Sequence, residues 1–281
     1  MNSDTPVVLI SGCSTGIGRA LAVEFSSSNW HVVATARKLS AIEDLKKQKI
    51  ETAILDVTDE RSIKTCVDSV IAKTGRIDIL VNNAGLLLIG PLVELENHEL
   101  RQQFETNVIG LAALTRAVVP HMMKRKKGKI VNISSISGVL PTPFAGPYCS
   151  TKAAVTAYSC VLRMELAPFG IQVITVQPGG IKSSLSDNAD KNLNRFKNTP
   201  YGSIQDAIVE RAHASQINAT PAEVFARKLV DKLVLEKTPS FIRLGKDSIR
   251  LPLVAKLPIA LVDALLSKRF GLRRLSKQRD L

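Results

Sequence analysis

The glycine-rich turn at residues 11–18 constrains the fold of this chain more than any other stretch. It reads Ser-Gly-Cys-Ser-Thr-Gly-Ile-Gly and follows an apolar run at 6–10 that is typical of a buried strand. Residues 19–27 then have helical apolar spacing. A strand, a glycine turn and a helix in this order place a helix N-terminus where it can bind phosphate oxygens. A purely structural turn is the alternative, but the flanking elements favour a nucleotide-binding site, although the spacing differs from the common Gly-x-Gly-x-x-Gly fingerprint.

Further apolar runs alternate with helical patterns along the chain. They lie at residues 31–35, 50–55, 77–81, 129–135, 171–176 and 240–244. This alternation predicts an α/β protein with a Rossmann-type, doubly wound parallel sheet. A chain of 281 residues can form one or two domains. No Gly/Ser/Pro-rich linker divides it, so we expect a single domain over residues 1–245 and a basic, apolar extension at 246–281.

The residues after the second predicted strand indicate which nicotinamide cofactor binds. Folds of this kind that prefer NAD often carry a carboxylate here, which accepts hydrogen bonds from the adenosine ribose. The chain has Ala36 instead, followed by Arg37 and Lys38. A guanidinium group suits a phosphate. The sequence therefore favours NADP(H) over NAD(H), with a solvated Arg-Lys surface pair as the alternative.

Tyr148 and Lys152 form the candidate reactive pair. They are four residues apart at the start of a helical pattern, so their side chains share one helix face. A cation at about 4 Å from a phenol, in an effective dielectric near 20, contributes roughly 4 kcal/mol. That energy corresponds to a phenol pKa lower by roughly three. We therefore expect Lys152 to make Tyr148 a usable proton donor, and a strand ending at Ser135 to bring a hydroxyl beside it. A helix cap and a solvated lysine are the alternative.

Asn107 lies inside a long helical pattern at residues 97–124, among apolar neighbours. Asparagine is mildly unfavourable in the middle of a helix because its amide competes with the helix hydrogen bonds. A satisfied core amide is the ordinary explanation of such a residue.

Composition argues against several protein classes. The four cysteines have neither metal-ligand nor disulfide spacing, so we expect no metal and a reducing, cytoplasmic location. The N-terminal sequence lacks the features of a secretory signal, and no run of about 18 apolar residues is present. Aromatic residues make up 4% of the chain and do not interleave with its basic clusters, which argues against nucleic-acid binding.

Much of the net charge of +13 is concentrated near the C-terminus. Residues 237–281 contain eleven Lys and Arg against three Asp, a net +8, and two apolar stretches lie at 251–255 and 257–262. This composition favours peripheral docking on an anionic lipid surface. The alternatives are that the apolar residues cover a substrate pocket or form a subunit interface in a homo-oligomer.

Taken together, these motifs resemble the short-chain dehydrogenase/reductase family. The resemblance covers residues 6–244 and depends on the glycine turn, Asn82-Asn-Ala-Gly85, Asn107, Ser135, Tyr148-x-x-x-Lys152 and Pro178-Gly179, in that order. Serine stands at positions 11 and 183, where the family often has threonine, and both keep the hydroxyl.

The resemblance implies roles for individual residues. Tyr148 is expected to donate a proton to the substrate oxygen, Ser135 to hydrogen-bond that oxygen, Lys152 to lower the tyrosine pKa and hold the nicotinamide ribose, and Asn107 to hold a relay water. The implied cofactor-binding residues are Gly12, Ser14, Thr15, Gly16, Ile17, Gly18, Arg37, Lys38, Asp56, Asn83, Ala84, Gly85, Asn107, Tyr148, Lys152, Pro178, Gly179, Ile181 and Ser183.

The segments that flank these residues predict an apolar substrate. Loops at 86–89 and 139–144 are apolar, so Leu86, Val139 and Phe144 are candidate substrate contacts beside Ser135 and Tyr148. Packing beneath the loops explains their composition nearly as well. The polar segment 182–218 lacks a strand period and is expected to be either a substrate loop or a disordered surface excursion.

We therefore expect an NADP(H)-dependent oxidoreductase that interconverts a ketone or aldehyde and an alcohol on a lipid- or steroid-like substrate. The C-terminal extension resembles the tails of acyl-dihydroxyacetone-phosphate reductases and hydroxysteroid dehydrogenases. An oxidative hydroxysteroid or retinol dehydrogenase is one alternative. A catalytically silent, nucleotide-sensing binding protein is an alternative of another class.

Overall fold

A seven-stranded parallel sheet forms the centre of the molecule in the computed structural model, which describes residues 5–185 and 190–276. The strand order is β3-β2-β1-β4-β5-β6-β7. The strands are β1 Val7–Ile10, β2 His31–Ala36, β3 Glu51–Ile54, β4 Ile79–Asn82, β5 Gly128–Ile133, β6 Ile171–Pro178 and β7 Phe241–Leu244. The predicted doubly wound sheet is confirmed. Its order reverses between β1 and β4, the position where such sheets bind ligands.

Helices cover both faces of the sheet. We number the α-helices α1 Gly16–Ser27, α2 Glu60–Thr74, α3 Asn97–Phe104, α4 Gly110–Arg125, α5 Gly146–Leu166, α6 Gln205–His213, α7 Ala222–Leu233, α8 Arg250–Val254, α9 Ile259–Arg269 and α10 Arg273–Ser276. Shorter 3-10 helices lie at Leu39–Ala41, Glu43–Gln48, Leu92–Glu94, Ile136–Gly138, Ala167–Phe169, Asp190–Asn198 and Gly202–Ile204.

Successive residues of the central strands point to opposite faces and pack in separate hydrophobic clusters. Val8 and Ile10 belong to the cluster under α1 and α7, whereas Val7 and Leu9 belong to the cluster under α2 and α4. Residues buried on both faces explain why the strands read as continuous apolar runs without alternation.

A third cluster lies beyond the carboxyl edge of the sheet. It brings together Phe144, Cys149, Phe196 and Ile208 with Phe270 from the C-terminal extension. The described part of segment 182–218 is therefore packed and largely helical, which excludes the disordered alternative for the described residues. Residues 186–189 of that segment lie outside the described residues.

The predicted helix at 97–124 is interrupted in the structure. A π-helical turn, Glu105–Ile109, separates α3 from α4 and contains Asn107. Such turns insert one residue into the helix repeat and are frequent at functional sites. The apolar periodicity on both sides hid this turn from the sequence analysis.

No helix within residues 5–185 and 190–276 has both the length and the apolar character needed to cross a bilayer.

Candidate functional site

The loops after β1 and β4 meet at the switch point of the sheet. Asn83 donates from Nδ2 to the backbone oxygens of Ser11 and Gly12, both at 2.9 Å. The Ser11 hydroxyl accepts from the backbone nitrogens of Asn83 at 3.0 Å and Ala84 at 3.1 Å. A Cβ on Gly12, whose φ is +73°, would lie 2.8 Å from the Cα of Ala84. Glycine is therefore required where the two loops touch.

The N-terminus of α1 fits a bound anion. Its N-cap residue, Thr15, makes no side-chain capping bond, and the first turn of the helix has no acidic residue. Gly16 has a φ of +58°, and a Cβ there would lie 2.9 Å from the Cβ of Ser183. Unpaired backbone N–H groups and the positive end of the helix dipole suit a phosphate. The glycine turn thus fits the diphosphate of a dinucleotide.

One cavity of about 840 Å³ runs from this turn to the C-terminal helices. Most of the sequence-predicted residues line it. They are Gly12, Ser14, Thr15, Gly16, Ile17, Arg37, Asp56, Asn83, Ala84, Gly85, Leu86, Ser135, Tyr148, Lys152, Pro178, Gly179, Ile181 and Ser183. The nucleotide-type turn and the reactive pair therefore lie on one continuous surface.

Five predicted residues lie off the cavity wall: Gly18, Lys38, Asn107, Val139 and Phe144. A Cβ on Gly18 would lie 2.4 Å from both Gly12 O and Asn83 Nδ2, so this glycine allows the turn to close onto α1. Phe144 is 5% exposed and belongs to the third hydrophobic cluster, with its ring edge-on to Tyr201. Packing beneath the loop, the alternative considered above, accounts for Phe144.

Asn107 is a satisfied core amide in the π-helical turn. Its Oδ1 accepts from the backbone nitrogen of Leu86 at 2.7 Å. Its Nδ2 donates to the backbone oxygen of Leu86 at 3.0 Å and to Thr151 Oγ1 at 3.1 Å. The side chain therefore ties the loop after β4 to α5, next to the reactive pair. These hydrogen bonds show that Asn107 positions the loop after β4 against α5. The expected relay water on Asn107 stays a prediction.

Ser135 and Tyr148 lie together on the cavity wall. Ser135 caps the 3-10 helix Ile136–Gly138, where its Oγ accepts from the backbone nitrogen of Ser137 at 3.0 Å. Burial raises the pKa of Tyr148 to about 12, and a hydrogen bond with Ser135 offsets part of that increase. The phenol is therefore protonated at neutral pH and can donate to an oxygen placed in the cavity.

Lys152 is buried at 5% exposure and is held by the backbone. Its Nζ donates to the carbonyl oxygen of Ile133 at 2.8 Å and lies 5.6 Å from the centroid of the Tyr148 ring. Burial lowers the pKa of Lys152 to about 8. The expected lowering of the Tyr148 pKa by this lysine is not what the structure gives. Burial removes water from the phenol, and the resulting cost of forming the phenolate exceeds the effect of the groups that would stabilise it.

The cavity also has walls that sequence analysis did not identify. Arg211 from α6 and Thr142 line it near Tyr148, and Gln216 holds the Ile181–Ser183 segment, accepting from the backbone nitrogen of Ser183 at 2.9 Å. Three apolar residues of the extension, Leu251, Leu266 and Phe270, line its far end. Arg211 and Gln216 fall in the segment that lacked a clear period, so no sequence signal singled them out.

The extension is joined to the sheet by backbone contacts. Gly180 N donates to Lys246 O at 2.9 Å, and a Cβ on Gly179 would lie 1.8 Å from that oxygen. The first residues after β7 therefore pack directly against the loop after β6. Together with the lining residues, this contact supports the alternative in which part of the extension covers the pocket.

Among the described residues, no cluster of three or more His, Cys, Asp or Glu side chains is arranged to hold a metal ion.

Sequence comparison gives consistent matches. The profile of the short chain dehydrogenase family matches residues 6–194. A 3-ketodihydrosphingosine reductase from Bacteroides thetaiotaomicron is 35% identical over 230 residues, which are 79% of this chain and 84% of that protein. An NADPH-dependent 1-acyldihydroxyacetone phosphate reductase from Schizosaccharomyces pombe is 39% identical over 204 residues, which are 72% of this chain and 65% of that protein.

Solved structures are similar over most of the chain. A short-chain dehydrogenase from Streptomyces avermitilis has a TM-score of 0.79 and 33% identity, with 98% of this chain and 99% of that chain covered. The closed form of a serine dehydrogenase complexed with NADP+ has a TM-score of 0.72 and 28% identity, with 85% of this chain and 94% of that chain covered.

The buried charge of Lys152 predicts a stability cost at neutral pH. Its folded pKa of about 8 is below the unfolded value of 10.5, so the unfolded state holds more protons between these pH values. Lys152→Met removes the buried charge, and it also removes the hydrogen bond to Ile133, which offsets part of the gain. We expect a net rise in the free energy of unfolding of about 1–3 kcal/mol at pH 7. This gain should shrink as the pH rises from 8 toward 10.5, as measured by urea unfolding.

The control is Lys64→Met, because Lys64 is an exposed residue of α2 paired with Asp68. Its effect should stay within about 0.5 kcal/mol at every pH. A Lys152→Met variant less stable than the parent at pH 7, or a difference that does not vary with pH, would contradict this prediction.

Proposed function

The chain belongs to the short-chain dehydrogenase family, and we propose that it uses NADPH to reduce a ketone or aldehyde group on an apolar, lipid-like substrate. The observation that carries the proposal is the position of Ser135, Tyr148 and Lys152 on the wall of the cavity that begins at the glycine turn. A proton donor, a second hydroxyl and a buried cation thus share one surface with the expected dinucleotide site.

In the proposed reaction, a bound NADPH would supply the hydride that reduces the carbonyl carbon. Tyr148 donates its phenolic proton to the carbonyl oxygen, and Ser135 hydrogen-bonds the same oxygen so that it faces the phenol. Lys152 would hold the nicotinamide ribose, and Asn107 would hold a water that passes protons to the lysine. The location of Ser135 and Tyr148 on the same cavity wall supports the shared oxygen position.

The names of two relatives, a 3-ketodihydrosphingosine reductase and a 1-acyldihydroxyacetone phosphate reductase, support reduction as the working direction. An oxidative hydroxysteroid or retinol dehydrogenase is the alternative.

The preference for NADPH rests on the end of β2. Ala36 is buried and has no carboxylate, and Arg37 beside it is exposed and lines the cavity. A guanidinium at this position is free to pair with the 2′-phosphate. The NADPH-dependent relative and the NADP+ complex described above support the same choice.

A lipid-like substrate is supported by the apolar part of the cavity wall. Leu86, Leu87 and Leu140 line the cavity together with Leu251 and Leu266 of the extension. Two relatives, the 3-ketodihydrosphingosine reductase and the 1-acyldihydroxyacetone phosphate reductase, have lipid ketones in their names. An NADPH-oxidation screen over ketones of graded chain length tests the proposal. If no carbonyl compound is reduced, the reductase proposal is rejected and the catalytically silent, nucleotide-sensing binding protein becomes the better explanation.

The outer surface of the extension supports docking on a lipid surface. While Leu251, Leu266 and Phe270 face the cavity, Leu253, Ile259 and other apolar side chains remain outside. Their exposures are Ile249 69%, Leu253 57%, Leu257 41%, Ile259 79%, Leu261 47% and Leu265 48%. The basic residues between them complement anionic headgroups, at about 1 kcal/mol for each one near the surface.

Replacement of the proposed proton donor tests the chemistry. Tyr148→Phe removes one hydroxyl, so we expect NADPH affinity to be retained and kcat to fall at least about a hundredfold. Tyr158→Phe, a phenol on the same helix that does not line the cavity, should keep kcat within about twofold. Steady-state NADPH oxidation measures both variants, and near-normal turnover of Tyr148→Phe would refute the assignment.

Cofactor choice should depend on Arg37. Arg37→Asp removes a charge-assisted contact and adds repulsion, so we expect kcat/KM for NADPH to fall about ten- to a hundredfold, with a much smaller loss for NADH. Arg61→Asp, an exposed charge reversal on α2, is the control and should change neither value. Equal catalytic efficiency of the parent enzyme with both cofactors would argue against the NADPH assignment.

The docking proposal is tested by sedimentation with anionic phospholipid vesicles. The parent should sediment with them at low salt and be released as salt rises, because the basic residues contribute. Leu253→Asn combined with Ile259→Asn should abolish sedimentation, whereas Val93→Asn, equally exposed on a different surface, should not. A parent protein that stays in the supernatant at low salt would end this proposal.

A further inference from the structure

Arg211 is a buried arginine at the substrate end of the cavity. It lies in α6, is 7% exposed, and lines the cavity together with Tyr148 and Thr142. Its Nε donates to Thr142 Oγ1 at 2.9 Å. The guanidinium is close enough to Tyr148 for its charge to favour the phenolate. The mechanism proposed above assigns no role to this residue.

Among the residues that the structure describes, no carboxylate oxygen lies within 4.0 Å of the Arg211 guanidinium nitrogens. The acidic residues of its own helix are paired elsewhere, Asp206 with Arg274 at 2.8 Å and Glu210 with Arg269 at 3.5 Å. Burial lowers the pKa of Arg211, and interactions with Cys149, including a hydrogen bond, and with Tyr148 offset part of that shift. Neither neighbour is a carboxylate.

A buried cation without a counter-charge needs compensation. Hydrogen bonds to the Thr142 hydroxyl and the Cys149 thiol recover only a small part of the cost of removing a guanidinium from water. A simple packing role would be served better by an apolar side chain of similar volume. An anion in the cavity would supply the missing charge, and the planar guanidinium fork suits a phosphate or a carboxylate.

We propose that Arg211 binds an anionic substituent of the substrate, a phosphate or a carboxylate, close to the carbonyl group that faces Tyr148. The substrate class is therefore an apolar chain that carries both a carbonyl and a nearby negative charge. Arg211 selects such molecules over neutral ketones of the same length and disfavours amino ketones, whose ammonium group it repels. The statement about the carbonyl substrate rests on the proposed function, whereas anion binding itself does not.

A binding experiment tests anion binding by Arg211 separately from the proposed carbonyl reduction. Octyl phosphate, octanoate and octanol share one chain length and differ in the head group, and their binding to the NADPH-saturated enzyme is measured by calorimetry. We expect at least one anion to bind tenfold or more tightly than octanol, as a charge-assisted contact predicts. The tighter of the two anions identifies the head group. Arg211→Gln should abolish the preference, and Arg211→Lys should retain part of it.

An activity experiment then tests selection. A long-chain acyl ester of dihydroxyacetone phosphate should be reduced with at least tenfold higher kcat/KM than its dephosphorylated counterpart, and a long-chain amino ketone should be the poorest of the three. Arg211→Gln should lower kcat/KM about thirtyfold for the phosphate ester and less than threefold for the neutral ester. Arg116→Gln, an exposed arginine paired with Glu60 on α2, is the matched control and should change neither.

Retained NADPH binding and an unchanged thermal midpoint show that Arg211→Gln is folded. If the variant does not fold, the same comparison is made with Arg211→Lys. Equal binding of octanol and both anions by the parent, or an unchanged anion preference in the folded variant, would overturn the inference. Anion binding that depends on Arg211 without reduction of any carbonyl would retain the anion site and reject the proposed function.

Discussion

The contact between β5 and α5 is the constraint on which the rest of the site depends. Lys152 Nζ donates to Ile133 O at 2.8 Å, and Ser134 Oγ donates to Lys152 O at 2.8 Å. A Cβ on Gly138 would lie 2.6 Å from the carbonyl carbon of Lys152. The end of the strand, the following turn and the helix are thus held in one register, which fixes Ser135 against Tyr148.

The same contact gives the site its electrostatic character. Burial raises the pKa of Tyr148 to about 12 and lowers that of Lys152 to about 8, because each charged form loses hydration. Arg211 adds a second buried cation near the phenol. A cavity with two cations and a protonated phenol is arranged to receive negative charge at the substrate oxygen and at a neighbouring anionic group.

The C-terminal extension has two different faces. Leu251, Leu266 and Phe270 complete the cavity wall, whereas Leu253 and Ile259 remain exposed among basic residues. One short segment therefore lines the cavity with some of its apolar residues and exposes others, and the exposed ones are those on which the proposed lipid docking depends.

The sequence by itself determined the sheet, the glycine turn and the location of Ser135, Tyr148 and Lys152 at strand and helix ends, because apolar periodicity and glycine spacing are local properties. It did not reveal the π-helical turn around Asn107, the packed position of Phe144 or the presence of Arg211 in the cavity. Those depend on contacts between distant segments. The pKa of Tyr148 was misjudged for the same reason: the sequence places a phenol and an ammonium on one helix face, but only the tertiary structure decides how much water reaches them.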